Sequence, residues 1–279
     1  MTEEIRIENH EFVLEVENLL EENHVPYIKI ENCFVIDRYR LNLYAAPLSM
    51  LQQTDVDLFV PQRNENKNLY LYEDFWRRDN EVARERLLSH LGDVETVFAR
   101  NCHVERITAS EIKDFMNRYH SYGFAKAKFH YGIFDEVGDM IAAASFSAPR
   151  PMPRNVPGVE EKVVFNSYEW VRYASLPDLR VVGGMGKVLS FFENEVHPDD
   201  IMSYADLEWS SGEVYEKLGF VETGFVDPVE FLVDPVTFKR YSTKKIRKGE
   251  ISEEGLSTGL MPIFNRGSRK YLKIYKGAN

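Results

Sequence analysis

The chain has 279 residues, of which 44% are hydrophobic and 28% are charged, and its formal net charge is −11 at pH 7. This composition is typical of a folded globular protein and excludes an intrinsically disordered chain. No apolar run approaches the ~20 residues that a membrane span needs, and the acidic N-terminus lacks a signal-peptide pattern. We therefore expect a cytoplasmic protein with no membrane partner.

The net charge and the two cysteines limit the possible functions further. An acidic balance disfavours general nucleic-acid binding, because a phosphate backbone attracts basic surfaces. The two cysteines, Cys33 and Cys102, stand far apart, and neither has the paired spacing of a zinc site, so we predict no metal. Cys102-His103 is interpreted as part of a strand. The length suits two domains, which we place at residues 1–95 and 97–279.

The first 95 residues predict a small α/β domain. An amphipathic helix is expected over 10–23, and short strands over 26–30, 33–36, 41–44, 57–60 and 69–72. Asp79 predicts the N-cap of a further helix that ends at Leu91, with Gly92 as its stop.

The segment Leu69 to Trp76, with the helix after it, resembles the closing strand and helix of phage-encoded nucleases of the very-short-patch-repair type. The catalytic acidic strand of such a nuclease is not recognisable upstream. Asp37, Asp55 and Asp57 are interpreted as turn and loop residues. We therefore expect a degenerate nuclease-like domain that no longer cuts DNA.

Residues 97–158 predict a strand, a helix, a hairpin and a loop. After a strand over 97–107, Thr108-Ala109-Ser110-Glu111 forms a capping box that starts a helix ending at His120. Strands over 129–134 and 140–146 form a hairpin. The segment 148–158 contains four prolines and two arginines and predicts a loop.

The stretch from Glu169 to Phe220 concentrates the chemistry. A strand over 169–176 leads into Gly183-Gly184-Met185-Gly186, and a helix follows with an apolar face at Met185, Leu189, Phe192 and Val196. Glycines at the start of a helix predict an anion site, because the first N–H groups lack internal partners and no Cβ blocks an approaching phosphate. The alternative is a tight turn that needs positive φ. A strand over 201–206 and a short helix ending in Tyr215-Glu216-Lys217-Leu218-Gly219-Phe220 come next.

This arrangement resembles the acyl-CoA-binding half of the GNAT (acetyl-CoA-dependent N-acetyltransferase) superfamily, and the element order from residue 97 onward is similar along nearly its whole length. The family's loop carries Gln or Arg three residues before its first glycine. If Gly184 is taken as the first glycine of the family's loop, Val181 stands at the position of the Gln or Arg. If Gly183 is taken instead, Arg180 stands there. The resemblance implies an α/β (α+β) fold with a mixed central sheet flanked by helices. It also implies acetyl-CoA as acyl donor, with its pyrophosphate on Val182, Gly183, Gly184, Met185, Gly186 and Lys187.

Acyl transfer needs a base, an oxyanion donor and an acid for the thiolate, and each has a candidate. The resemblance implies that Tyr215 protonates the thiolate and that a backbone N–H near Tyr173 to Leu176 binds the oxyanion. Asp206 is the first candidate for the base, and Glu169 and His120 are secondary. Each has a structural alternative: Tyr215 as a packing residue, Asp206 as a helix cap, and Glu169 and His120 as framework. Arg172 is expected to share a strand face with Trp170 and Ala174.

The sequence says least about the acceptor of the acyl group. We expect an amine, either a small molecule or a protein. His120, Arg172 and Asp206 also resemble positions of phage Mom-type DNA-modification proteins, GNAT-like proteins that act on adenine in DNA, so a nucleic-acid acceptor and an inert binding module stay open. Basic residues that would favour nucleic acid if they converge on the cleft are Arg150, Arg154, Lys239, Arg240, Lys244, Lys245, Arg247, Lys248, Arg266, Arg269 and Lys270.

Overall fold

The computed structural model describes residues 11–51, 66–92, 94–155, 158, 160–252 and 256–276. The helices are α1 (Glu11–Glu22), α2 (Leu48–Leu51), α3 (Glu73–Arg78), α4 (Asn80–His90), α5 (Ala109–Tyr119), α6 (Gly184–Val196), α7 (Glu213–Lys217) and α8 (Thr243–Arg247). The first strands are β1 (Ile28–Ile30), β2 (Cys33–Ile36), β3 (Leu41–Ala46), β4 (Lys67–Tyr72), β5 (Glu95–Phe98), β6 (His103–Arg106), β7 (Phe129–Phe134), β8 (Met140–Phe146) and β9 (Arg150–Arg154). The others are β10 (Val163–Ser175), β11 (Leu179–Val182), β12 (Asp200–Asp206), β13 (Val221–Val226), β14 (Glu230–Val233), β15 (Arg240–Ser242), β16 (Met261–Phe264) and β17 (Ser268–Ile274).

The chain divides into two compact units that differ from the predicted domains. The first unit comprises Met1–Arg84, Asp206–Ser211 and Val226–Ser268, and the second comprises Glu85–Ala205, Gly212–Phe225 and Arg269–Asn279. The sequence predicts a single domain over the whole of 97–279. The difference has a physical reason: Val233 and Ile263, from the late segment, are buried in the same core as Tyr44 and Tyr70, so they complete the first unit.

The first unit contains two sheets. Strands β1, β2, β3 and β4 form one sheet in that order, and β15, β14 and β16 form the other. The predicted amphipathic helix is confirmed as α1, which buries Phe12, Val16, Leu19 and Leu20. The predicted strand over 57–60, together with Asp55 and Asp57, lies outside the described residues, as does the start of the first helix at His10.

A buried ion cluster ties three separate segments of the first unit. The Arg240 guanidinium makes a bidentate contact with the Asp74 carboxylate, in which Nη2 to Oδ1 is 2.9 Å. Its Nη1 lies 3.1 Å from Oε1 of Glu208. The side chains of Arg240, Asp74 and Glu208 are 10%, 0% and 5% exposed. Two buried carboxylates therefore share one guanidinium, which also covers the ring of Tyr72 at 4.9 Å.

We expect the stability of the first unit to fall as pH rises from about 4.5 to about 7. Burial, opposed by Arg240 and reinforced by Asp206 and Asp74, raises the pKa of Glu208 from 4.5 to about 7. Between these values the folded state holds a proton that the unfolded chain has released, so a higher pH favours unfolding. The slope is at most about 1.4 kcal/mol per pH unit. Urea unfolding at several pH values measures it, and Glu208→Gln should flatten the slope. An unchanged slope in that variant would assign the dependence to another group.

The second unit is built on an eight-stranded mixed sheet in the order β13-β17-β12-β10-β8-β7-β6, with β9 beside β10. Strands β10 and β12 are parallel, and β6 to β10 pair antiparallel. Helix α5 packs on Ala143 and Ala174, whereas α6 packs on the face that holds Ala142, Ala144 and Trp170. Because neighbouring residues of β8 face opposite helices, the sheet is flanked on both sides, which confirms the predicted mixed α/β fold.

Two local predictions in this unit are confirmed, and one is wrong. Thr108 and Glu111 form the capping box of α5, and β7 pairs with β8 as the predicted hairpin. The strand predicted over 97–107 is wrong, because a helical turn at Ala99–Asn101 separates β5 from β6. The two strands belong to different sheets, and Cys102 lies between them rather than in a strand.

The proline-rich segment is a strand rather than the predicted loop. Pro151 and Pro153 alternate along β9, which pairs with β10 as an edge strand. An edge position accepts proline, because the missing N–H groups face away from the sheet. Arg154 fixes the segment through a hydrogen bond of 2.8 Å from its Nε to the buried Asp200 carboxylate.

No helix among the described residues is long and apolar enough to span a bilayer.

Candidate functional site

A β-bulge in the central strand β10 sets the directions of the candidate side chains. Trp170 pairs with Phe146 and Arg172 pairs with Ser145, so β10 has one extra residue between these pairs. Trp170 therefore faces α6, whereas Ala174 packs against α5. The prediction that Arg172 shares a face with Trp170 and Ala174 is wrong for Trp170, because the bulge reverses the alternation.

Strands β10 and β12 form a fork. Their parallel register ends at Trp170 and Ser203, although both strands continue. On the other edge of β10, the Leu176 N–H donates to the Ile141 carbonyl, which makes 172, 174 and 176 the residues hydrogen-bonded to β8. The N–H groups of Tyr173 and Ser175 therefore point away from β8, into the opening of the fork. The oxyanion donor was expected in this segment.

The glycine loop begins α6. Gly183 is its N-cap with φ +80°, a conformation that favours glycine. The first helical bond runs from the Lys187 N–H to the Gly183 carbonyl. The N–H groups of Gly184, Met185 and Gly186 precede it and can serve an anion.

The side chains of two of the six residues predicted to bind the cofactor point towards the β5–β11 pair and its turn. The Lys187 ammonium donates to the carbonyls of Ala99, at 2.7 Å, and Cys102, so it anchors the turn at Ala99–Asn101. The Val182 side chain is 42% exposed and lies beside Phe98, its partner across the β5–β11 pair.

The two helical glycines of the loop are needed for different reasons. A Cβ on Gly184 would lie 2.6 Å from the Tyr173 hydroxyl and 2.9 Å from Val181, so this glycine is required by protein packing. Among the described residues, a Cβ on Gly186 would meet only Leu218, at 3.3 Å. Gly186 is thus the position at which a side chain can intrude on the adjoining space without a backbone clash.

A cavity of about 470 Å³, here called the loop cavity, lies against this loop. Its apolar wall includes Val181 and Met185, together with Val214 of α7 and Leu218, which follows that helix. Tyr173 and Ser175 extend it to β10, and Arg180 and Lys217 add two cations. Arg180 is fixed by a 2.9 Å hydrogen bond to the Ser89 carbonyl. The cavity therefore joins an anion-binding end to an apolar channel beside the fork.

Tyr215 stands at the fork. Its hydroxyl lies 2.9 Å from Oγ of Ser203, and that Oγ donates to the Trp170 carbonyl at 3.1 Å. The same Oγ also donates to the Tyr215 oxygen, and because this bond uses the serine proton, the Tyr215 proton stays available to another acceptor. Burial raises the pKa of Tyr215, while Ser203 and Arg172 oppose this rise. The tyrosine is therefore protonated at neutral pH, as an acid must be.

His120 is neutral and its Nδ1 is occupied. Burial lowers the pKa of His120 well below its usual value, and Arg172 and Arg86 lower it further. Its Nδ1 accepts the Tyr122 N–H at 3.1 Å, which leaves the ring proton on Nε2. In this tautomer the ring has no free lone pair for a substrate proton, so the geometry favours the framework alternative.

Arg172 serves the framework near His120. Its Nε donates to the Gly123 carbonyl at 3.3 Å, and its Nη1 donates to the Val171 carbonyl at 2.9 Å. Both His120 and Tyr215 are close enough to its charge for their pKa values to respond.

The two carboxylate candidates lie in different units. Asp206 belongs to the first unit, where its Oδ1 accepts the Glu208 N–H at 3.0 Å and so closes a turn. Glu169 belongs to the second unit and is 25% exposed, with Arg150 at 3.9 Å. Its charge contributes to the raised pKa of Tyr204, behind burial. Of the two carboxylates predicted as bases, Glu169 is the one that belongs to the same unit as Tyr215.

The basic residues are divided between the two units. Only Arg150, Arg154, Arg269 and Lys270 belong to the second unit, with His120 and Arg172. Of these, Arg154 pairs with Asp200, Arg269 with Glu222, and Arg150 with Glu169. In the first unit, Arg240 is buried in its ion cluster. The convergence that would favour a nucleic-acid acceptor is absent from the described part of the second unit.

Sequence reasoning missed Ser203, Tyr173 and Lys217 as parts of the site. Ser203 begins the Ser-Tyr-Ala-Asp run, of which only the aspartate was interpreted as chemical. The sequence pointed to the backbone of Tyr173 alone, although its hydroxyl lies 2.6 Å from the position of a Cβ on Gly184.

No protein-family model matches the chain, and no curated protein matches it. Solved structures do. A spermidine/spermine N-acetyltransferase, SpeG, from Vibrio cholerae matches with a TM-score of 0.36 and 11% identity, over 63% of this chain and 94% of that one. A structure described as histone acetyltransferase HPA2 and related acetyltransferase, from Corynebacterium glutamicum, gives 0.37 and 12%, over 62% and 96%. A Bacillus subtilis acetyltransferase in complex with CoA gives 0.34 and 15%, over 63% and 98%.

Proposed function

We propose that the second unit is an acyl-CoA-dependent transferase of the GNAT type that acts on an amine. The observation that carries this proposal is the loop cavity, which leads from the exposed amides of α6 to the fork between β10 and β12. An acyl-CoA presents an anionic diphosphate, a largely apolar arm and a thioester in the same order. The residues along the cavity match these parts, so CoA fits this site.

Each end of the cavity has a role in binding. The amides of Gly184, Met185 and Gly186, with Arg180 and Lys217, would hold the diphosphate. Val181, Met185 and Leu218 would pack along the arm. The thioester so delivered supplies an activated acyl group with a thiolate leaving group.

The fork provides the catalytic groups. The N–H groups of Tyr173 and Ser175 are oriented to donate to an oxyanion in the opening. Tyr215 holds the proton for the leaving sulfur. Glu169 lies on the sheet face opposite Trp170, from which an acceptor can approach, and its carboxylate would accept the amine proton. A carboxylate there also favours a cationic acceptor such as a protonated amine, and no observation favours nucleic acid.

We expect acetyl-CoA to bind the wild-type protein and Gly186→Val to weaken that binding at least tenfold. The valine side chain would occupy part of the loop cavity near Leu218, where the arm is placed. Calorimetric titration with acetyl-CoA measures both affinities. Ser190→Val is the matched control, because Ser190 lies on the exposed side of the same helix.

Two results would contradict the proposal. Absence of binding to the wild type at roughly millimolar acetyl-CoA, a concentration that corresponds to only about 4 kcal/mol of affinity, would indicate an inert module. Equal weakening by Ser190→Val would show that the substitutions act on the helix and leave the location of the CoA site unsupported. Thermal unfolding of each variant confirms that it is folded.

A further inference from the structure

Residues 239–248 of the first unit concentrate positive charge in an acidic protein. Six of these ten residues are lysine or arginine and none is acidic, whereas the whole chain has 34 basic and 45 acidic residues. Arg240 points into the unit and belongs to its buried ion cluster. The other five are exposed, and together with Tyr241 they form what we call the α8 surface: Lys239, Lys244, Lys245, Arg247 and Lys248.

The helix α8 holds the later cations close together. The Lys248 N–H donates to the Lys244 carbonyl at 3.2 Å, which continues the helical turn beyond Arg247. Spacings of three and four residues place Lys244, Arg247 and Lys248 on one side of this turn. The Thr243 hydroxyl fixes the start of α8 through a hydrogen bond of 2.9 Å to the Glu230 carbonyl on β14. The cations are therefore carried by an ordered backbone, which lowers the entropic cost of binding a ligand.

Most of this charge is not neutralised by the described part of the chain. Arg247 lies 3.4 Å from the Glu230 carboxylate, yet its side chain is 77% exposed. No ion pair with another described residue is found for the four lysines of the surface: Lys239, Lys244, Lys245 and Lys248. Lysines four residues apart on a helix repel each other, so a bound anion with several charges would relieve this repulsion.

Tyr241 adds an aromatic surface beside the cations. Arg240 points into the unit, and because side chains alternate along a strand, Lys239 and Tyr241 point to the other side. The Lys239 ammonium lies 5.2 Å from the centre of the Tyr241 ring, which is partly exposed. The pairing of Tyr241 with Leu232 fixes its backbone on β14. A cation next to an aromatic face can bind a nucleotide, because the cation takes the phosphate and the ring stacks on the base.

We propose that the α8 surface binds single-stranded nucleic acid, with phosphates on its cations and an unpaired base on Tyr241. A polyanion is favoured over a small anion, because each phosphate that meets a cation releases condensed counterions. A single strand is favoured over a duplex, because only an unpaired base offers its face to the ring. A bilayer fits less well: Ile246 is the one apolar residue of α8, which is too little for insertion.

Binding at the α8 surface is independent of the proposed acyl transfer. The surface belongs to the first unit, whereas Tyr215, Glu169 and the loop cavity belong to the second. The amine remains the proposed acceptor, and the nucleic acid is a ligand of the first unit. Because the chain as a whole is acidic, it repels phosphates elsewhere, so binding should be confined to this surface and should weaken steeply with salt.

Fluorescence anisotropy of a labelled oligothymidylate of about 20 nucleotides tests the proposal, beside an oligouridylate and a DNA duplex of the same length. We expect the wild type to bind at least one of the two single strands more tightly than the duplex, and the comparison of the two distinguishes DNA from RNA. The logarithm of the affinity should fall with the logarithm of the salt concentration, with a slope of about −2 or steeper, as three or more phosphate contacts require.

Two variants separate the phosphate contacts from the stacking. Lys244→Gln combined with Lys248→Gln should weaken binding about tenfold at low salt and make the slope shallower by about 1.4, because two phosphate contacts are lost. Tyr241→Ala should weaken single-strand binding about tenfold and leave the slope unchanged, because it removes no charge. Lys113→Gln combined with Lys126→Gln is the matched control, since both are exposed lysines of the second unit. Thermal unfolding confirms that each variant is folded.

Four results would overturn the proposal. The first is absence of binding to the wild type at roughly 20 mM salt, or a salt slope near zero. The second is equal weakening by the control pair, which would show that net charge alone governs binding. The third is equal affinity for duplex and single strands with no effect of Tyr241→Ala, because no unpaired base would then be recognised. The last is binding to phosphatidylserine vesicles without binding to the oligonucleotides, which would identify a membrane surface instead.

Discussion

Replacing Arg240 with methionine should lower the free energy of unfolding of the first unit by about 3–5 kcal/mol. The methionine leaves the Asp74 and Glu208 carboxylates, which are 0% and 5% exposed, without the guanidinium between them. A buried charge that loses its partner is costly, because it has neither water nor a counter-ion. Urea unfolding followed by tryptophan fluorescence measures the loss, since Trp76 and Trp209 are both buried in this unit.

Arg247→Met is the matched control for this prediction. Arg247 pairs with Glu230 at 3.4 Å, but its side chain is 77% exposed, so its removal should cost less than about 1 kcal/mol. Asp74→Asn combined with Glu208→Gln in the Arg240→Met background should restore part of the stability, because no buried charge then remains. If Arg240→Met and Arg247→Met have equal effects, the cluster is not what joins the late segment to the first unit.

The predicted domains differ from the observed units because contacts between distant segments of the chain, such as those of the buried ion cluster, decide the units. The helix α1 and the strands β2 to β4 follow from local periodicity, and each of them was predicted from its own residues. The contact between Asp74 and Arg240 joins positions 166 residues apart, and no local pattern marks such a pair. A sequence read segment by segment therefore assigns 226–268 to its neighbours along the chain, whereas burial assigns it to the N-terminal core.

The features of the candidate site also divide into those that the sequence predicted and those that it did not. The glycine loop and the short helix with Tyr215 follow from a compact motif, and both lie on the loop cavity or beside it. The bulge after Trp170 adds one residue to a strand without changing its composition, so the alternation of side chains predicted the wrong face for Arg172. The strand β9 depends on Asp200, 46 residues from Arg154. Roles that rest on one short segment were predictable, and roles set by pairing between strands were not.

Tyr215→Phe should lower kcat for acyl transfer by about 10²–10⁴-fold while the affinity for CoA stays within a few fold. Removing the hydroxyl removes the proton for the leaving sulfur, a contact made in the transition state, and keeps the ring that packs on Trp170 and Phe220. Thiol release with a panel of primary amines gives kcat, and calorimetry gives the affinity. Because burial raises the pKa of Tyr215, no loss of activity due to its ionisation should occur below about pH 10.

Tyr271→Phe is the control for Tyr215→Phe. The Tyr271 ring stacks on that of Tyr215 at 5.0 Å, and its buried hydroxyl has no hydrogen-bond partner among the described residues. Its removal should therefore leave kcat within about twofold, because it breaks no hydrogen bond and keeps the stacked ring. Ser203→Ala separates positioning from proton donation: if Ser203 only orients the Tyr215 hydroxyl, kcat should fall less than in Tyr215→Phe. Equal losses of kcat and CoA affinity in Tyr215→Phe would instead identify Tyr215 as a packing residue, the structural alternative that its sequence position left open.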